Sequence, residues 1–211
     1  MHANALIPIL SEIFDFSFDT AQRIDRVLAE AGLRTKGKGR NLPDVSRREA
    51  LTFLIACMVT EKITKANEEV SRWLTARGEV NQAPSPEVDP VWGILDSDPE
   101  DHQLHLAMEA LLIPHKDDGG EVNLINYLLA VCHLIQEKPL SPELVQLEID
   151  FSDLSASVFI FNEEGDIHLT DQFFVIDPTT ERPFERVPRS TGIKRKCTVK
   201  GTALFEIIIR T

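Results

Sequence analysis

The chain has 211 residues, 43% of them hydrophobic and 27% charged, with a formal net charge of -12. These values fit an ordinary soluble globular protein with a substantial core, and the apolar runs fall well short of the ~20 residues of a membrane span. The opening MHANALIPIL lacks a basic n-region and a small-residue cleavage site, and Cys57, Cys132 and Cys197 lie far apart, so a cytoplasmic protein without disulfides is expected.

In chain order, Asn4–Phe16 reads as a short apolar helix interrupted by Pro8. Asp19, with Gln22 three residues on, is the expected N-cap of a helix running to about Ala31. Its buried stripe is Ile24, Val27, Leu28 and Ala31, and Gly32 supplies the stop. Ser46-Arg47-Arg48-Glu49 is a capping box. The helix it opens is apolar nearly all round from Ala50 to Val59 and should be central to the fold. A fourth helix begins near Thr64, places Val70, Trp73 and Leu74 on one face and ends before Gly78.

From Glu79 to Asp101, prolines at 84, 86, 90 and 99 mark a linker or extended loop. Two helices are expected at about 102–113 and 121–137. After Pro139 the pattern turns to strands: 145–152, 157–161, a turn at Glu163–Asp166, a partner strand at 167–176 and a further one at 193–199. The last run, TALFEIIIRT, is ambiguous. Ile207 to Ile209 favour a strand, while Gly201-Thr202 would suit a helix start. The expected class is α+β: a helical domain over 1–78, compatible with a helix-turn-helix or winged module, a Pro-rich acidic linker over 79–101, and helices packed on a small antiparallel sheet over 102–211.

Charge is distributed unevenly. Residues 1–80 hold 12 basic and 11 acidic side chains, residues 81–155 hold 2 and 15, and residues 156–211 hold 8 and 8. Within Arg34–Arg48, RTKGKGRNLPDVSRR, six cations (Arg34, Lys36, Lys38, Arg40, Arg47 and Arg48) accompany one anion, Asp44. A cationic loop that feeds a helix N-terminus suits phosphates, because side-chain charge and free backbone N–H groups converge there. Debye screening over ~8 Å lets such a patch act apart from a distant acidic region. Nucleic-acid binding is therefore the leading expectation, with a plain solvated loop as the competing one. Lys62, Lys65 and Arg72 would extend the basic surface, and Asn67, Ser71 and Arg72 are the candidate base readers.

A second cluster, Arg186, Arg189, Lys194, Arg195, Lys196 and Lys200, precedes or lies on a late strand. Edge lysines also guard against strand-to-strand aggregation. Lys194, Arg195 and Lys196 would join the first loop only if the fold brings the two together.

Other chemistry is weaker. Gly37-x-Gly39 lacks the third glycine and preceding strand of a nucleotide fingerprint, and there is no P-loop, so no cofactor is expected. His102, His105 and Glu109 share a helix face without a metalloprotease spacing, and no metal site is assigned. No nucleophile elbow is present and no catalytic residue is assigned. An alternative to nucleic acid is a protein–protein module, an inhibitor or assembly factor, whose acidic middle (Asp96, Asp98, Glu100, Asp101, Asp117 and Asp118) docks on a basic partner protein.

The stretch AEAGLRTKGKGRNLPDVSRREALTFLIACM resembles a pattern in uncharacterised proteins of alphaproteobacterial phages and prophages. There a helix ending in Ala-Gly-Leu leads into a Gly/Lys/Arg-rich loop, a Pro-containing step and a helix that begins Ser/Thr-x-Arg-Asp/Glu-Ala. The late KCTVKGTALFEIIIR is similar to that group's ending, a strand followed by a Gly-x-Ala-Leu helix start. The resemblance covers about 30 residues and the tail, and it implies no activity. This chain departs from the pattern in its single rather than paired loop glycines and its isoleucine-rich tail. The sum of these expectations is a non-enzymatic nucleic-acid-binding or regulatory protein of phage or prophage origin.

Overall fold

A computed structural model describes residues 3–36, 44–79, 99–118, 120–151, 153–165, 167–177, 179, 182–183 and 196–210. The helices are α1 (Ala3–Phe14), α2 (Phe18–Glu30), α3 (Arg47–Val59), α4 (Ala66–Trp73), α5 (Pro99–Leu112), α6 (Leu124–Glu137) and α7 (Gly201–Arg210). The strands are β1 (Arg77–Glu79), β2 (Glu121–Asn123), β3 (Val145–Asp150), β4 (Ser155–Phe161), β5 (Ile167–Phe174), β6 (Ile176–Asp177), β7 (Arg182–Pro183) and β8 (Lys196–Lys200). The fold is α+β. Six strands form one antiparallel sheet in the order β2-β1-β5-β4-β3-β8, and β6 pairs with β7 apart from it.

The sheet arises from period-2 patterning. Val145, Leu147 and Ile149 of β3 are buried, and the register sets Leu147 between Val158 of β4 and Val199 of β8. Alternate residues therefore point to the far side of the sheet. Helices cover the buried side: α3 is buried at every residue from Ala50 to Val59, which matches its expected central place. Buried side chains from Leu6 to Ile207 join in a single hydrophobic cluster. The regions expected as separate helical and α+β domains thus share their core, and residues 80–98, most of the expected linker, lie outside the described residues.

Several local expectations change. Ser17, not Asp19, caps α2: its backbone is extended and its hydroxyl accepts from Thr20 N at 3.1 Å. Asp19 falls in the first turn, where it faces the helix dipole favourably and pairs with Arg23 at 2.8 Å. Residues 121–123 form β2 rather than the start of α6, because Asn123 is the cap, accepting from Ile125 N at 2.9 Å. The same side chain donates to Leu74 O at 2.6 Å, which ties α6 to the chain entering β1. The tail resolves as strand β8 followed directly by helix α7.

One buried polar pair joins the layers. Asp171 of β5, fully buried, lies in register with Val158 on the core side, and the Tyr127 hydroxyl of α6 donates to its Oδ2. Burial, then the charge of Asp171 and this hydrogen bond, raise the Tyr127 phenol well above its ordinary value.

Gly78 admits β1 to the sheet. A Cβ there would sit 2.1 Å from the Gln172 carbonyl oxygen. Gly78→Ala should therefore destabilise by about 1–3 kcal/mol, as overpacking does. Thermal unfolding should register a melting point lower by roughly 2–12 °C; an unchanged value would contradict this close approach.

Candidate nucleic-acid interface

The basic loop leaves α2 at Gly32, whose φ of 76° is the left-handed conformation of a helix stop. It returns at Ser46, the N-cap of α3. The expected capping box is present in full: Ser46 Oγ accepts from Glu49 N, and Glu49 Oε2 accepts from Ser46 N and Oγ, both at 2.8 Å. The second carboxylate oxygen does something the sequence did not announce. Glu49 Oε1 accepts from Thr35 N at 2.6 Å and Thr35 Oγ1 at 2.7 Å. One carboxylate thus holds both ends of the loop, Thr35 and Ser46, against the first turn of α3.

These bonds set the charge of Glu49. Burial pushes its carboxyl upward, but the bonds from Ser46 and Thr35 together outweigh it and pull the group down to about 2. Because this lies below the ordinary glutamate value of 4.5, the stabilisation is present above about pH 4.5 and is lost as pH falls toward 2.

The loop cations do not share one fate. Arg34 turns inward: its Nη2 donates to Asp25 Oδ2 at 2.5 Å, and Nε lies 2.5 Å from Oδ1. Asp25 sits on the buried face of α2, and its burial raises the carboxyl more than Arg34 lowers it. Arg34 also donates to Thr35 O at 2.8 Å, so it braces the loop's root. It is engaged by its own chain and not displayed to a phosphate. Lys36 is exposed, and among the described residues it makes no ion pair. Arg47 is half-buried at the first position of α3. Arg48 is exposed and donates to Asn126 Oδ1 at 2.9 Å, a neutral partner that leaves its charge uncompensated. Lys38 and Arg40 lie outside the described residues, between the two clamped ends.

In the second cluster, Lys196 is engaged by carboxylates of its own sheet. Lys196 donates to Glu148 Oε1 at 2.6 Å and lies 4.0 Å from Asp150 Oδ2. The hydrogen bond to Glu148, with the charges of Glu148, Asp150 and Asp153 behind it, raises its ammonium above the ordinary value. Its neighbour Cys197 is close enough to Cys57 to raise that thiol's pKa further, after burial. Cys57 lies in the last turns of α3, about 15 Å along the axis from Arg47 at 1.5 Å per residue. Lys194 and Arg195 fall outside the described residues.

From Ala50 to Val59 α3 is buried at every residue, so beyond its first turn it offers no face to a groove. Lys62, Lys65, Asn67, Ser71 and Arg72 are exposed on and before α4, and Ser71 Oγ donates to Asn67 Oδ1 at 3.3 Å. Of the acidic residues, Asp117 accepts from Glu121 N at 2.9 Å and pairs with Arg77 at 3.1 Å, and Asp118 is exposed. Asp96 and Asp98, and the side chains of Glu100, Asp101, His102 and His105, lie outside the described residues; Glu109 lies 3.6 Å from Lys116. Among the described residues no group of three His, Cys, Asp or Glu side chains could hold a metal ion, and no helix is long and apolar enough to cross a membrane. Nothing matches the chain among protein-family models, curated proteins or solved structures.

Two variants test this geometry. Glu49→Ala should cost about 1–2 kcal/mol at pH 7, the range of a lost helix cap, and its deficit relative to the parent should shrink as pH falls from 4.5 toward 2. A deficit independent of pH, by denaturant titration, would contradict the charged clamp. Arg34→Ala should cost about 3–5 kcal/mol, because it strands the buried Asp25 carboxylate. Asp25→Leu/Arg34→Met together should restore most of that loss; a double variant no better than Arg34→Ala would contradict it.

Proposed function

We propose that this protein is a non-enzymatic nucleic-acid-binding or regulatory protein of phage or prophage origin, whose clamped basic loop contacts phosphates. The observation that carries the reading is the double grip of Glu49 on Thr35 and Ser46. It removes the anion closest in sequence to the arginines from competition, because all its acceptor capacity is turned inward. It also brings Lys36 to the root of the same helix start that bears Arg47 and Arg48.

A phosphate needs charge and donors in a fixed place. Positive charge at a helix N-terminus opposes the helix dipole, so Arg47 and Arg48 do not serve the helix itself. A phosphate held there would be favoured by both arginines and by the dipole. The working set is Lys36, Lys38, Arg40, Arg47 and Arg48. Arg34 supports the loop from within, and Lys196 belongs to the sheet edge. The phage or prophage origin rests on the resemblance of the loop and its flanking helices. The acidic-module alternative gains nothing from Asp117, which is occupied by Arg77 and Glu121.

Binding of DNA across a salt series tests the reading. The parent should lose affinity steeply with salt, and Lys36→Ala/Lys38→Ala/Arg40→Ala should reduce the log–log slope by up to about 2.7, at ~0.9 per duplex phosphate contact. Equal slopes for the two, or binding insensitive to salt, would reject it.

A further inference from the structure

The side of the sheet away from the helices carries a second surface that the loop does not explain. The register sets its rows across the strands. One row runs Lys200, Gln146, Phe159 and Thr170, and the next runs Thr198, Glu148, Ser157 and Gln172. Lys200, Thr198 and Gln172 are exposed, while Phe159 and Gln146 are partly so. A third row, Lys196, Asp150, Ser155 and Phe174, closes the surface, since Asp150 and Ser155 are buried. Phe159 and Phe161, two apart on β4, stack with ring centroids 6.3 Å apart and planes 26° from parallel. Ile167 beside Phe161 is 58% exposed.

The chemistry of this face selects its occupant. A docking protein helix would want a broad apolar area, and here the apolar side chains are Phe159, Phe161, Ile167 and, at the closed end, the partly buried Phe174. The remainder is amide and hydroxyl, with one cation, Lys200, that makes no ion pair among the described residues. Glu148 is held by Lys196, which leaves the rows near neutral in a chain of net charge -12. Unpaired bases fit that combination, because each has a π-face for a ring and an edge for amides and hydroxyls. Rings two residues apart on a strand, roughly 6.8 Å by the strand rise, can each take one base. The exposed acidic turn at Glu163 and Glu164 bounds the surface beyond Phe161. The phosphates must then run on the β8 side, where Lys200 stands.

We infer that this open sheet face binds single-stranded nucleic acid, with two unpaired bases stacked on Phe159 and Phe161, Gln146 and Thr170 at the base edges, and Lys200 on the backbone. This site is distinct from the clamped loop and does not rest on it.

The full chain is titrated with a fluorescein-labelled oligothymidylate and with a duplex of the same length. In parallel, a 5-iodouracil-substituted single strand is photo-crosslinked and the adducts are mapped by mass spectrometry. Single strand should bind in preference to duplex, with adducts at Phe159 or Phe161. Phe159→Leu/Phe161→Leu, its fold checked by circular dichroism, should weaken single-strand binding roughly ten-fold or more. Lys200→Glu, which leaves the core untouched, should also weaken it. Adducts should persist on β4 in the Lys36→Ala/Lys38→Ala/Arg40→Ala variant, so loss of the loop reading would leave this one standing. Adducts confined to other segments, an adduct-free strand β4, or Lys200→Glu and ring variants that bind like the parent would overturn the inference.

Discussion

The position of the basic loop depends on the carboxylate of Glu49, whose four hydrogen bonds fasten Thr35 and Ser46 to the start of α3. Two of them complete an ordinary capping box and fix where α3 begins. The other two reach back to Thr35, at the far end of the loop. A loop closed at its neck has already spent much of its conformational freedom, so a ligand gripping it orders fewer residues. The buried pair beneath, Asp25 with Arg34, anchors the same neck to α2. A buried pair of this sort adds little net stability, yet it penalises any arrangement that separates its members. Together the two carboxylates define one geometry for the start and end of a cationic segment.

That arrangement also sorts charge in an acidic chain. Arg34 and Lys196 are matched with carboxylates of their own molecule. Lys36, Arg47 and Arg48 are not so matched among the described residues. Net charge alone would oppose a polyanion, but exposed charges beyond ~8 Å contribute little at physiological salt. What counts is the local set at the root of α3. The sheet's far face follows a different rule, near neutrality with aromatic rings, which suits bases more than phosphates. A chain with both would hold backbone at one place and unstacked bases at another.

Local signals in the sequence reached as far as local physics does. The capping box of Ser46 and Glu49, the buried helix behind it, and the strands at 145–152 and 157–161, the latter with its partner at 167–176, are legible, since each depends on spacing within a few residues. Ser17 and Asp19 are both good caps, and only the backbone conformation separates them. The three-residue strands Arg77–Glu79 and Glu121–Asn123 carry too few residues to show alternation, and they exist because each pairs with the other. Asp25 falls outside the expected stripe of α2, and its partner Arg34 is nine positions away. The bond from Thr35 to Glu49 spans fourteen positions and could be found only by folding the chain. The six loop cations read as one group, and the bond to Asp25 that sets Arg34 apart is likewise visible only in the fold. The side of the sheet that the aromatic pair of β4 faces follows from register and not from composition.

Hydrogen exchange at two backbone amides tests the clamp most directly. The account predicts that Thr35 N–H and Ser46 N–H are protected in the native protein, and that Glu49→Gln frees Thr35 while the interior of α6 keeps its protection. Exchange of both amides at the rate of an unstructured chain in the parent protein would contradict it.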